Sequence, residues 1–167
     1  SSNKKTKERI EKTRKVLWED WSEDAEECDY YGMFNLAALQ AQICDAWFAG
    51  GECLVIKHAT TENTTVPLRI QVLEGAYIAN NFTDRSPDKG GVIVNGVAFG
   101  ENGRMTGLYL HKTHPGEGNR FSVTIGTRVT ADQFLFIKRE NIIHCFSAHR
   151  PGVVRGLPRL TPTIVGM

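Results

Sequence analysis

Apolar positions repeat with a helical period up to residue 50 and with a strand period beyond it. In residues 3–21, Ile10, Leu17 and Trp21 fall on one face of a predicted helix, with Trp18 beside them. Its lysines sit at the N-terminal end and its acids at the C-terminal end, where the helix dipole disfavours both, so it needs packing against something else. Asn35 is a candidate N-cap for a second helix that aligns Leu36, Leu39, Ile43 and Trp47 at spacings of three and four. Gly50-Gly51 stops it.

From Glu52 onward the pattern predicts strands. Cys53-Leu54-Val55-Ile56 is a continuous apolar run expected to be buried on both faces. Leu68, Ile70 and Val72 alternate with Arg69 and Gln71 as in a half-exposed strand, and Pro67 marks either its start or a sheet edge. Residues 80–91 are polar and turn-rich and read as a long surface loop. Residues 92–99 and 105–112 read as strands flanking Gly100-Glu101-Asn102-Gly103, where Asn-Gly supplies the positive φ of a tight hairpin. After a loop at His114-Pro115-Gly116, Phe121, Val123 and Ile125 alternate with Ser122 and Thr124, and residues 134–137 and 142–146 form two short apolar runs. The expected fold is α+β: two N-terminal helices packed on one mostly antiparallel β unit. It divides into a helical segment 1–50, a β region 51–149 and a connecting segment 150–167, all in one domain. Arg150-Pro151-Gly152 breaks the last strand, and Pro162 is placed to open a helix that would run past Met167, so the chain reads as a piece of a longer polypeptide.

Composition narrows the class. With 167 residues, 41% hydrophobic and 23% charged, the chain is long enough for one core without disulfide or metal support. Its 16 glycines and 6 prolines suit many turns and exclude a coiled coil. No run of about 18 apolar residues occurs, and no apolar stretch follows the N-terminus, so neither a transmembrane helix nor a signal peptide is expected. The net charge of +1 argues against gripping nucleic acid by bulk charge, but the average hides two blocks. Lys4, Lys5, Lys7, Arg9, Lys12, Arg14 and Lys15 are followed by Glu19, Asp20, Glu23, Asp24, Glu26, Glu27 and Asp29. Such blocks are solvated faces, or in a symmetric assembly a docking arm for charged neighbours.

Candidate chemistry is thin. Cys28, Cys44, Cys53 and Cys145 lack paired zinc spacing and read as reduced, buried thiols. The sequons at Asn63 and Asn81 matter only in a secreted eukaryotic protein. There is no P-loop, G-x-S-x-G, H-E-x-x-H or G-x-G-x-x-G. His144, Cys145 and His149 are close in sequence, but a strand over 142–146 sends His144 and Cys145 to opposite faces, leaving a hydrogen-bonded histidine and a core thiol. His111 and His114 read as ordinary hairpin-end histidines. Glu52, at a helix-to-strand junction, is placed to accept backbone N–H bonds or to meet an arginine. Asp84, Arg85 and Asp88 read as solvated loop residues, and Arg150, Arg155 and Arg159 as makers of salt links within or between subunits. No catalytic, metal or cofactor residue is expected.

The order of several short segments resembles the portal proteins of lambda-type tailed phages. They are Trp18 or Trp21, Cys28-Asp29 with Gly32 and Asn35, Leu39-Gln40, and Gly51-Glu52 before an apolar strand. Next comes Ile70-Gln71-Val72-Leu73-Glu74, then the Gly96 to Gly103 segment with Arg104, Tyr109 and His114-Pro115. Ile142-Ile143-His144-Cys145-Phe146, Arg150-Pro151-Gly152 and Arg155-Gly156-Leu157-Pro158 complete the series. Val153 stands where the family usually has a glutamine. The resemblance implies a structural role for Gly51, Glu52, Gly96, Gly103, Tyr109, His114, Pro115, His144, Arg150, Pro151, Gly152, Arg155 and Gly156. It also implies a non-enzymatic wing-region segment of a ring, usually a dodecamer, at one capsid vertex. Its partners would be further copies, terminase, capsid and head-completion proteins and double-stranded DNA in passage, with no membrane. The competing classes are a Cys145/histidine hydrolase or thiol enzyme, and a separate nucleic-acid-binding β domain.

Overall fold

Strand β1, Glu52–Ala59, is the element around which the others are arranged, and its first five residues are buried. In the computed structural model, which describes residues 2–62, 64–85, 91–116, 133–159 and 161, β1 lies between β2 (Leu68–Glu74) and β8 (Ile142–Phe146). Both pairings are antiparallel and place Leu54 opposite Leu73 on one side and His144 on the other. Pro67 therefore both precedes a strand and sits at an edge, since β2 is outermost in this three-stranded sheet.

The remaining strands, β3 (Asp84–Arg85), β4 (Val92–Val94), β5 (Val97–Phe99), β6 (Met105–His111) and β7 (Phe134–Lys138), form a separate five-stranded antiparallel meander. The β region is antiparallel as expected, and it is built of two sheets. Alternation along each strand explains how they stack. Leu54, Ile56 and Ile142 of the first sheet meet Val97, Leu108 and Leu110 of the second, with Ile78 completing the cluster. The other face of the first sheet turns Val55 and Ile70 toward Trp21, Cys28 and Leu39 of the helices. The far face of the second sheet carries Ile93, Ala98, Tyr109 and Phe134, closed by Ala79 and Phe82.

The helices are α1 (Ser2–Glu23), α2 (Ala25–Cys28) and α3 (Leu36–Gly50). The single-turn α2 was not legible from periodicity; it is started by Asp24, whose carboxylate accepts the Glu26 N–H at 2.9 Å. Asn35 caps α3 as expected, accepting from Ala38 N–H at 3.0 Å, and Gly51 ends it with φ 82°. Along α1 the expected packing holds only at Trp21, which is buried and donates its indole N–H to Leu68 O at 2.7 Å. Residues 3–20 are exposed, including Ile10, Leu17 and Trp18.

Three further expectations change. Residues 92–99 are two strands, because Asn95 and Gly96 both take positive φ (49° and 79°) and turn the chain back on itself, the conformation of a type I′ hairpin. The stretch after Asn80 is not wholly a surface loop, since Phe82 is buried against Tyr109 and Phe134. Cys44 is exposed and Cys145 half-buried, whereas Cys28 and Cys53 are buried as expected. The Gly100 to Gly103 hairpin forms between β5 and β6. The strand expected at Phe121, Val123 and Ile125, the loop residue Asp88, and the helix expected at Pro162 lie outside the described residues. Among the described residues, no helix is long and apolar enough to cross a membrane.

Candidate functional site

The end of α3 delivers Glu52 directly into the interior. Gly51 turns the chain in the left-handed region, and a Cβ there would stand 2.2 Å from the Leu157 carbonyl carbon. Two more glycines make room for the carboxylate. A Cβ on Gly75 would lie 2.2 Å from Glu52 Cγ, and one on Gly156 would lie 2.0 Å from Gly51 O. Only backbone this bare admits a glutamate that is 4% exposed.

Buried charge demands full pairing, and Glu52 has it. His144 Nε2 donates to Oε2 at 2.9 Å, Arg155 Nε donates to both oxygens at 2.9 Å, and Gly156 N–H donates to Oε2 at 3.2 Å. Arg155 Nη2 donates to Oε1 as well. The rest of the guanidinium is spent on Gly75 O at 3.2 Å, Asn95 O at 3.3 Å and Asn80 Oδ1. One carboxylate thus joins β1, β8, the 3-10 turn Gly75–Tyr77, the β4–β5 turn and the segment after β8. Burial pushes its pKa upward, but the hydrogen bonds from His144 and Arg155, the Arg155 charge and the Gly156 N–H together hold it down to about 2. A carboxylate so acidic and so fully bonded is a poor general acid or base at neutral pH. It acts as a clamp, as its place at a helix-to-strand junction foretold.

The structure brings Gly51, Glu52, His144, Arg155 and Gly156 together, with Gly96 adjoining through Asn95. Gly96 also packs under Ile78 and Ala79, and its N–H donates to Phe82 O at 2.8 Å. The other residues singled out on the resemblance lie elsewhere. Gly103 is at the tip of the β5–β6 hairpin. Tyr109 is in the second core, edge-on to Phe82 and tilted against Phe136. His114 sits 3.6 Å from Glu74 and edge-on to Tyr77, beside the turn at Pro115. Arg150, Pro151 and Gly152 form an exposed turn. Gly75, Asn80 and Asn95 were not singled out beforehand; the Asn95-Gly96 dipeptide was the available signal, and nothing local marks Asn80.

Among the described residues, the side chains of the competing reading lie apart. His144 turns to Glu52, while Cys145 lies opposite Cys53 on the other face of the sheet, and His149 is exposed. Burial pushes the Cys145 thiol up, and burial together with the nearby Cys145 takes Cys53 to about 12, so neither favours a thiolate. His111 and His114 do not pair either. His111 is half-buried against Phe134, where desolvation lowers its pKa. Arg159 lies over the Trp47 ring at 4.8 Å and donates to Ser147 Oγ at 3.4 Å, whereas Arg150 is exposed. Among the described residues no group of three metal-ligating side chains converges.

An open groove of about 650 Å³ lies at the base of α1, lined by Leu17, Trp18, Trp21, Val66 and Leu68 together with Glu11, Arg14 and Lys15. No curated protein matches this chain. A family model described as phage portal protein, lambda family, matches residues 1–167. That match spans the chain, which therefore belongs to the lambda family of phage portal proteins.

Proposed function

We propose that this chain is a structural part of a portal ring at the capsid vertex, forming with further copies a conduit through which double-stranded DNA is packaged and ejected. The observation that carries the reading is the family match along residues 1–167. The near-neutral charge supports it, because a conduit lets DNA slide rather than grip it. The ring is a dodecamer in this reading, the terminase motor docks on it and supplies ATP hydrolysis, and capsid and head-completion proteins surround it. Assembly takes place in the host cytoplasm. Residues 1–50 and 51–149 act as one wing domain, and residues 150–167 lead toward the rest of the ring. The thirteen motif residues from Gly51 to Gly156 have structural roles.

Electron microscopy of the full chain tests this. Closed rings are expected, and Cys145→Ala should leave them unchanged. A hydrolytic activity that disappears in Cys145→Ala, in a protein that forms no rings, would favour the thiol-enzyme reading instead.

A further inference from the structure

Helix α1 is poorly supported by its own chain. Its first turn carries no acid and its last turn no base, so its dipole is uncompensated, and residues 3–20 are all exposed. Ile10 and Trp18 are 52% and 55% exposed on its surface. Its two charge blocks touch within one copy only where Lys15 meets Glu19 at 3.6 Å. The helix is unbroken from Ser2 to Glu23, and at about 1.5 Å per residue the centres of the blocks stand roughly 20 Å apart, beyond the Debye length of about 8 Å. Most of each block is therefore open to a partner from outside.

Resting on the portal reading above, we propose that the basic half of α1 docks on the neighbouring copy, in the groove walled by Trp18, Val66 and Leu68. Charge complementarity selects this occupant. The groove is continuous with the acidic block: Val66 follows Thr65, whose N–H is held by the Glu27 carboxylate at 2.8 Å. Glu19, Asp20, Glu23, Asp24 and Glu26 are exposed. Arg14, Lys15 and Glu11 line the groove's other end with a net positive charge, which turns the incoming basic segment toward the acidic end. Ile10, flanked by Lys4 and Lys7 on the same helical row, supplies the apolar knob for the Trp18 wall. Each copy offers both an arm, the N-terminal part of α1, and a groove at the base of the same helix, so a heterologous head-to-tail contact can repeat from copy to copy and close a ring.

The test uses the full chain. Lys4→Glu/Lys7→Glu places acids at the N-terminus of α1, and Asp20→Lys/Glu23→Lys removes exposed acids from its C-terminal end; the dipole favours both changes, so neither melts the helix. Each pair alone should lower the yield of rings at least tenfold, and the two pairs combined should restore it. A photo-crosslinker at position 10, in rings mixed from isotopically distinct copies, should join the neighbouring copy at residues 17–27 or 65–69. Rings that ignore both reversals, or crosslinks that stay within one chain or fall elsewhere, overturn the arm while leaving the portal reading intact. Absence of rings from the unmodified chain overturns both.

Discussion

Glu52 shows how one residue can set a pH limit on a fold. Its carboxyl falls from an ordinary 4.5 to about 2 in the folded chain, which corresponds to roughly 3 kcal/mol favouring the folded state. Because the folded value is the lower one, this stabilisation is fully present above about pH 4.5. It is lost as the pH falls toward 2, where folded and unfolded forms are both protonated. Denaturant unfolding between pH 7 and 2.5 should show that loss, and Glu52→Gln should flatten this part of the curve. The same variant at pH 7 leaves the Arg155 guanidinium buried against a neutral amide and should cost about 3–5 kcal/mol. That Glu52 would meet backbone N–H groups or an arginine was legible, since a carboxylate just after Gly-Gly at a strand start has few other uses. Which arginine was not legible, because Arg155 is 103 residues away and His144 is 92, and only the completed sheet brings them within reach.

At the scale of elements, two Asn-Gly dipeptides were open to the same reading, and only one was taken as a turn. Asn102-Gly103 sits among polar neighbours and announces itself. Asn95-Gly96 is set inside an apolar run, and a two-residue type I′ turn interrupts that run so briefly that the strand pattern passes through it. The two turns should also respond differently to mutation. A Cβ on Gly96 would stand 2.8 Å from Ile78 Cγ2 and 2.9 Å from Ala79 O in addition to the strain of φ 79°, so Gly96→Ala should cost about 2–4 kcal/mol. Gly103 has nothing within 4 Å, so Gly103→Ala should cost only about 1–2 kcal/mol from its positive φ. Urea unfolding of the two variants side by side measures the difference. The cap of α3 was legible because it is local: Asn35→Ala should remove about 1 kcal/mol in the same assay.

For the molecule as a whole, helical periodicity located α1 but could not say what it packs against, since periodicity identifies an apolar face and not its partner. The sequence therefore led to a helix in need of packing without naming its partner, and among the described residues of α1 it is Trp21 that enters the core. Trp21 fills the cluster of Cys28, Leu39, Val55 and Ile70, and its N–H satisfies the Leu68 carbonyl. The remainder of α1 stands outside that core. Removing residues 3–14 should accordingly change unfolding by no more than about 0.5 kcal/mol, a shift in Tm of about 1–2 °C. Trp21→Ala opens a cavity between the helices and the first sheet and orphans a carbonyl; it should cost about 3–5 kcal/mol and lower Tm by roughly 10 °C. Thermal unfolding followed by circular dichroism separates the two. A large loss of stability from the truncation would mean that the outer half of α1 belongs to the core of its own chain, and its charge blocks would then be a solvated face rather than an arm.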